Sequence, residues 1–156
     1  MDLRSDPSGI GFVVNAAVFP GIMVPALSVG IASLIAKPKH TASEIKMAPS
    51  SIVSGLVGIT EAALPYAFRD PIRVIASNII GAAVGGAIMM GAGVSTAGVS
   101  GVFGLPMANN IPIFIGAILI GTAVSVTLLI LWKKPVKDTD DLEKVSEADF
   151  DIEIEF

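Results

Sequence analysis

The chain has 156 residues, 53% hydrophobic and 15% charged, with a mean hydropathy of +0.77. A soluble domain carries about a quarter charged residues, so this composition is that of a membrane protein. There is no cysteine, which excludes disulfides, thiolate catalysis and a cysteine zinc site.

The net charge of −4 conceals two opposite regions. Residues 7–137 carry eight Lys/Arg against three Asp/Glu, a net of +5, while 138–156 carry nine Asp/Glu and one Lys, a net of −8. Residues 1–9 form a polar segment in which Asp2, Asp6 and Pro7 do not make the basic start of a signal peptide. Residues 10–36 are the first apolar run, long enough to cross ~30 Å of hydrocarbon, with a kink expected near Pro20 and Pro25. His40, in Lys37-Pro-Lys-His40, reads as a solvated loop residue. Thr41-Ala-Ser-Glu44 predicts an interfacial helix start, with the glutamate placed to close a capping box. Residues 51–68 are apolar but broken by Gly55, Gly58, Glu61 and Pro65, and Arg69-Asp70-Pro71-Ile72-Arg73 follows.

Residues 74–93 read as a helix with small residues four apart, at Gly81/Gly85, Ala82/Gly86 and Ala87/Gly91, which predicts close backbone packing within one subunit. Asn78 on that helix reads as an interhelical hydrogen-bonding residue. Residues 94–108 are rich in Gly and Ser, contain Pro106, and are too irregular for a span; Asn109-Asn110 reads as a turn. Residues 111–132 are the cleanest span, closed by Trp132, Lys133 and Lys134 as an interface anchor. The acidic tail 138–156 reads as disordered and cytoplasmic.

Lys37/Lys39, Arg69/Arg73 and Lys133/Lys134/Lys137 all flank apolar runs. The positive-inside rule puts the three clusters on the cytoplasmic side, which requires 51–68 to enter and return. The expected architecture is therefore all-α and integral to the membrane. It has about three full transmembrane helices, with two re-entrant segments, 51–68 and 94–108, in a membrane domain of 10–137.

Glu61 is the one carboxylate within this apolar hairpin. A carboxylate at membrane depth costs roughly 2.5–3.5 kcal/mol on insertion scales and faces a cavity or a partner. Gly58 and Pro65 break regular helix, which is tolerated at depth where backbone lines a cavity or is buried in protein. Glu61 is thus the leading ligand-binding candidate, with Thr60 beside it; a structural pairing with Arg69 or Arg73 is the alternative. No metal site, cofactor or nucleic-acid partner is expected.

Gly58-Ile-Thr-Glu-Ala-Ala-Leu-Pro-Tyr66 followed by Asp70-Pro-Ile-Arg-Val-Ile75 resembles the signature of the fructose-type enzyme IIC. That is the membrane permease component of bacterial phosphoenolpyruvate-dependent sugar phosphotransferase systems. Met23-Val-Pro-Ala-Leu27 and Gly101-Val-Phe-Gly-Leu-Pro106 resemble two further family stretches. The resemblance runs from about residue 16 to about residue 135. Ala62 stands in place of the usual Gly, Tyr66 in place of Phe, and Ser95-Thr96-Ala97 where many members carry a histidine. The chain resembles only the C-terminal half of such a transporter; Val14-Asn15-Ala16 is no copy of the motif of the other half.

The resemblance implies that Glu61 sits at the tip of a re-entrant hairpin and binds hydroxyls of fructose or a fructose-like sugar. Thr60, backbone freed at Gly58, and Asn109 would assist it. Arg69 and Arg73 would form an ion-pair cluster at the hairpin base or guide the phosphoryl group or a partner. It also implies IIA and IIB partners, the other half of the permease, a homodimer, and a multi-pass location in the bacterial inner (plasma) membrane. The sugar would be phosphorylated from a cysteine or histidine of IIB. With no cysteine and no IIB segment, this chain carries no phosphoryl-accepting residue of its own. Two other readings stay open: a non-transporting remnant or regulator of the same fold, and an ion-coupled transporter with Glu61 as proton site.

Overall fold

An apolar run that crosses a membrane must satisfy its own backbone, and helix does so within the segment. The computed structural model describes residues 9–98 and 101–134, and the tail 138–156 lies outside them. Among the described residues there are five α-helices: α1 (Ile10–Ile35), α2 (Ala42–Val57), α3 (Leu64–Arg69), α4 (Pro71–Gly91) and α5 (Ile111–Trp132). The described residues contain no strand, only one isolated bridge between Thr96 and Ala108. Helices α1, α4 and α5 are long and apolar enough to cross a membrane, as read from the sequence. The protein is all-α and membrane-embedded.

Small residues set the helix crossings. A methyl at Gly81 would fall 2.6 Å from Ser125 Cβ, and one at Gly85 2.9 Å from Pro20 Cβ and 3.0 Å from Ala117 O. A methyl at Gly86 would lie 2.9 Å from Ala17 O. These contacts run α4 antiparallel to both α1 and α5 with backbones in near contact, so the small-residue stripe serves packing inside the chain. Asn78 accepts from Ser28 Oγ at 2.6 Å and Ser125 Oγ at 2.7 Å, joining the same three helices with a buried polar node. Below that node, Phe19 and Phe114 meet edge to face at 5.2 Å within a core that includes Met23, Leu27, Met89 and Ile118. A second core gathers Val29, Tyr66, Val74 and Leu129.

Helix α2 differs from the expectation at its start. The entering limb is a single helix from Ala42 that runs through Pro49, rather than a segment beginning at 51. The start is set by the capping box: Thr41 Oγ1 accepts from the Glu44 N–H at 3.3 Å, and Glu44 Oε2 accepts from the Thr41 N–H at 2.9 Å. Helix α2 lies antiparallel on α1, where Gly30 faces Ala48 and Ile52, and Gly55 faces Leu27. Its 16 residues rise only about 24 Å, short of the hydrocarbon thickness. It ends at Gly58 and the chain turns back.

Candidate functional site

The turn at the end of α2 is a Schellman motif. Gly58 is left-handed at φ 89°, its N–H reaches Gly55 O at 3.2 Å, and the Ile59 N–H reaches Ser54 O at 2.8 Å. Glycine fits because a Cβ is disfavoured at that φ. Thr60–Ala63 then form a 3-10 turn, and α3, with Pro65 near its start, runs back to Arg69. The hairpin closes on itself: Tyr66, fully buried, donates to Glu44 O at 2.8 Å, and Ser51 Oγ lies 3.3 Å from the Tyr66 hydroxyl. Arg69 donates to Thr41 Oγ1 at 2.6 Å, so the two limbs end side by side.

The tip lies halfway along α1. Thr60 Oγ1 is 3.5 Å from the carbonyl of Ile22, the midpoint of a 26-residue helix. Glu61 and Thr60 are both exposed there. Among the described residues Glu61 makes no ion pair, because Arg73 is taken by Asp70 at 2.8 Å and Arg69 by Thr41. The pairing of Glu61 with either arginine is therefore absent; both arginines hold the base of the hairpin. Beside the tip, a groove of about 340 Å³ runs between α1, the returning limb and α4, lined by Gly21, Pro25, Thr60, Leu64, Asn78 and their neighbours. Pro25 has no N–H to give to the carbonyl of Gly21, which leaves an acceptor on this wall of α1.

The second irregular segment comes from the other end. The Thr96 N–H donates to Phe12 O at 3.1 Å, and Asn15 Nδ2 holds Thr96 O at 2.9 Å and Gly98 O at 3.1 Å. Gly101, at φ 55°, packs on the carbonyl of Val57, and Gly104 packs on the ring of Phe19. The chain then returns, with the Asn109 N–H on Ser95 O at 3.0 Å. The two re-entrant segments thus meet at the Val57–Gly101 contact, next to the Gly58 turn. Asn109 is not brought to Glu61: its side chain accepts from the Ser95 N–H at 2.9 Å and donates to Gly93 O at 3.2 Å, closing the base of the second segment. Asn15 fastens that segment to α1, a role that no local sequence pattern signals.

The hairpin base holds a buried cluster that local sequence does not suggest. His40, 3% exposed, is inside rather than solvated, because the end of α5 covers it. Its Nδ1 lies 3.0 Å from Lys133 Nζ, 3.2 Å from Glu44 Oε2 and 3.3 Å from Ser33 Oγ. Lys133 is also buried and donates to both Glu44 oxygens at 3.1 Å. It is a core partner rather than an interface anchor, whereas its neighbour Lys134 is exposed. Burial pushes the Glu44 carboxyl up, but hydrogen bonds from His40 and Thr41 and the charge of Lys133 outweigh it, leaving the carboxyl lowered to about 2. Glu44 is therefore ionised, and the cluster ties the hairpin to α1 and α5.

No family model matches the chain, and no solved structure does so at a significant level. Curated relatives do. The fructose-like permease IIC component 2 of Escherichia coli K12 is 36% identical over 147 residues, 90% of this chain and 41% of its own length. The fructose-specific EIIC component of Haloferax volcanii is 40% identical over 114 residues, 72% of this chain and 30% of its own. The chain belongs to the fructose-type enzyme IIC family. The fructose-specific EIIB'BC component of Rhodobacter capsulatus agrees, at 41% identity over 125 residues, 78% of this chain and 22% of that protein. The chain spans between about a fifth and two fifths of the length of these IIC-containing relatives.

Proposed function

We propose that this IIC chain is the sugar-binding membrane part of a phosphotransferase-system permease, with the site at Glu61. One observation carries the reading: an ionisable carboxylate stands at the tip of a broken hairpin, midway along a membrane-length helix, with no cation of the described chain paired to it. A sugar hydroxyl is a donor that satisfies such a carboxylate, and a carboxylate accepts two as charge-assisted bonds. Thr60 adds a hydroxyl, and the Gly58 turn fixes the direction in which both side chains leave the backbone. The names of the relatives favour fructose or a fructose-like sugar.

The phosphoryl group would arrive from a IIB partner, itself supplied by IIA, on the side of the hairpin base, where Arg69 and Arg73 lie. The chain would supply binding and passage and would hold no phosphoryl group itself. Positive charge at that end supports a cytoplasmic position for it at the plasma membrane, and for the C-terminus with it. The remaining length of the relatives, and a second copy of the assembly, would complete the enclosure of Glu61.

Calorimetric titration of fructose into the purified, detergent-solubilised chain tests this. Glu61→Gln should weaken binding by roughly 10- to 100-fold, the value of one charged hydrogen bond or more. Equal binding by the variant, or no binding by a folded, monodisperse wild type, contradicts the proposal for this chain.

A further inference from the structure

The described helices gather all their basic residues at one end. Lys37 and Lys39 follow α1, Lys46 lies in the second turn of α2, Arg69 and Arg73 flank the α3–α4 junction, and Lys133 and Lys134 follow α5. Direct contacts hold this end together: Arg69 on Thr41, Lys133 on Glu44, and Lys39 Nζ on Ile130 O at 2.6 Å. The two carboxylates at this end are both used, Glu44 by Lys133 and Asp70 by Arg73. Lys37, Lys39, Lys46, Arg69 and Lys134 are left without a carboxylate among the described residues. The opposite end, built from 9–21, 86–98 and 101–118, bears no charged side chain at all.

The chain leaves the fold at this same end. Four residues after Lys134 it enters 138–156, which carries nine carboxylates and a single lysine. We infer that the acidic segment 138–156 docks by charge on the basic end formed by Lys37, Lys39, Lys46, Arg69 and Lys134. The tether makes the encounter intramolecular, at an effective concentration in the millimolar range. The two charges are opposite in sign, −8 on the segment against the five cations without a carboxylate among the described residues. Exposed charge pairs of this kind are individually weak and screened by salt, so the contact is reversible and gives way to a stronger anion. The inference rests on charge placement and does not depend on the sugar reading.

The absence of cysteine gives a direct test on the full chain. Spin labels on Ser43→Cys, exposed at the start of α2, and Ser146→Cys, within the tail, report their separation by double electron–electron resonance in a zwitterionic detergent. At about 0.1 M salt the distance distribution should be shorter and narrower than in the same pair carrying Lys37→Gln, Lys46→Gln and Lys134→Gln. At about 1 M salt, where the screening length falls to about 3 Å, the two should coincide. Identical distributions with and without the three lysines at the lower salt overturn the inference. A short distance that survives the higher salt also overturns it, since apolar Phe150, Ile152, Ile154 and Phe156 would then be responsible.

Discussion

A lysine at the end of a transmembrane helix ordinarily extends its charge toward the headgroups. Lys133 turns inward instead, because Glu44 waits there already fixed by its capping role, and the pair is 7% and 1% exposed. Removing one member of a buried pair leaves an uncompensated charge, so Lys133→Met should destabilise the chain by about 3–5 kcal/mol. Adding Glu44→Gln should restore much of that loss in a double-mutant cycle read by thermal unfolding in detergent. The same carboxylate sets a pH dependence. Its folded pKa, about 2, lies below its unfolded value near 4.5, so between these the unfolded chain binds more protons. Its stabilisation is complete above that window and is lost as pH falls through it. The melting temperature should drop on acidification below about pH 4.5, and less steeply in Glu44→Gln. Half of this cluster was legible. The Thr41–Glu44 capping box follows from four adjacent residues, but the partner 89 positions away does not. His40 reads as solvated only because its neighbours Lys37 and Lys39 are polar.

At the scale of elements, the fold depends on where helices stop. Gly58 stops α2 by adopting a left-handed turn that local sequence foreshadows, and the Gly–Thr–Glu–Pro interruption is what made a hairpin readable. The start of α2 was less legible. Lys46, Ser50 and Pro49 give residues 41–50 a mixed character, yet they form continuous helix because Ala48 packs against Gly30 of α1. Gly101 is the point where the two re-entrant segments touch. A methyl there would drive into the carbonyl of Val57, on a backbone that already disfavours side chains. Gly101→Ala should therefore cost on the order of 1–3 kcal/mol and loosen the hairpin tip. Amide exchange at Thr60–Ala63 should quicken relative to α4 and α5. Unchanged protection at the tip would show that the contact does not brace it.

At the scale of the molecule, the described residues form three spans and two re-entrant segments in one arrangement, with polar groups at both the base and the tip of the first hairpin. At the base both carboxylates have a cation, Glu44 with Lys133 and Asp70 with Arg73, and Arg69 is held by Thr41. Glu61 at the tip has no cation among the described residues, and that contrast is the reason to propose binding at Glu61 and scaffolding at Glu44. Three spans were legible because long apolar runs admit little else, and the parity of basic clusters fixed the sense of the hairpin. The meeting of the two segments, and the fastening role of Asn15, were not, since both depend on contacts some 45 and 80 residues apart in sequence. The central claim is that residues 41–69 enter and return, so that Glu61 stands at depth between limbs that share one face. Single cysteines at Ser43, Phe68 and Met107, exposed positions at the two ends, test it by labelling with a membrane-impermeant maleimide in intact cells and in inverted vesicles. Ser43→Cys and Phe68→Cys should label only in inverted vesicles and Met107→Cys only in intact cells. Labelling of Phe68→Cys from the side opposite Ser43→Cys would make 42–69 a full crossing and contradict the site.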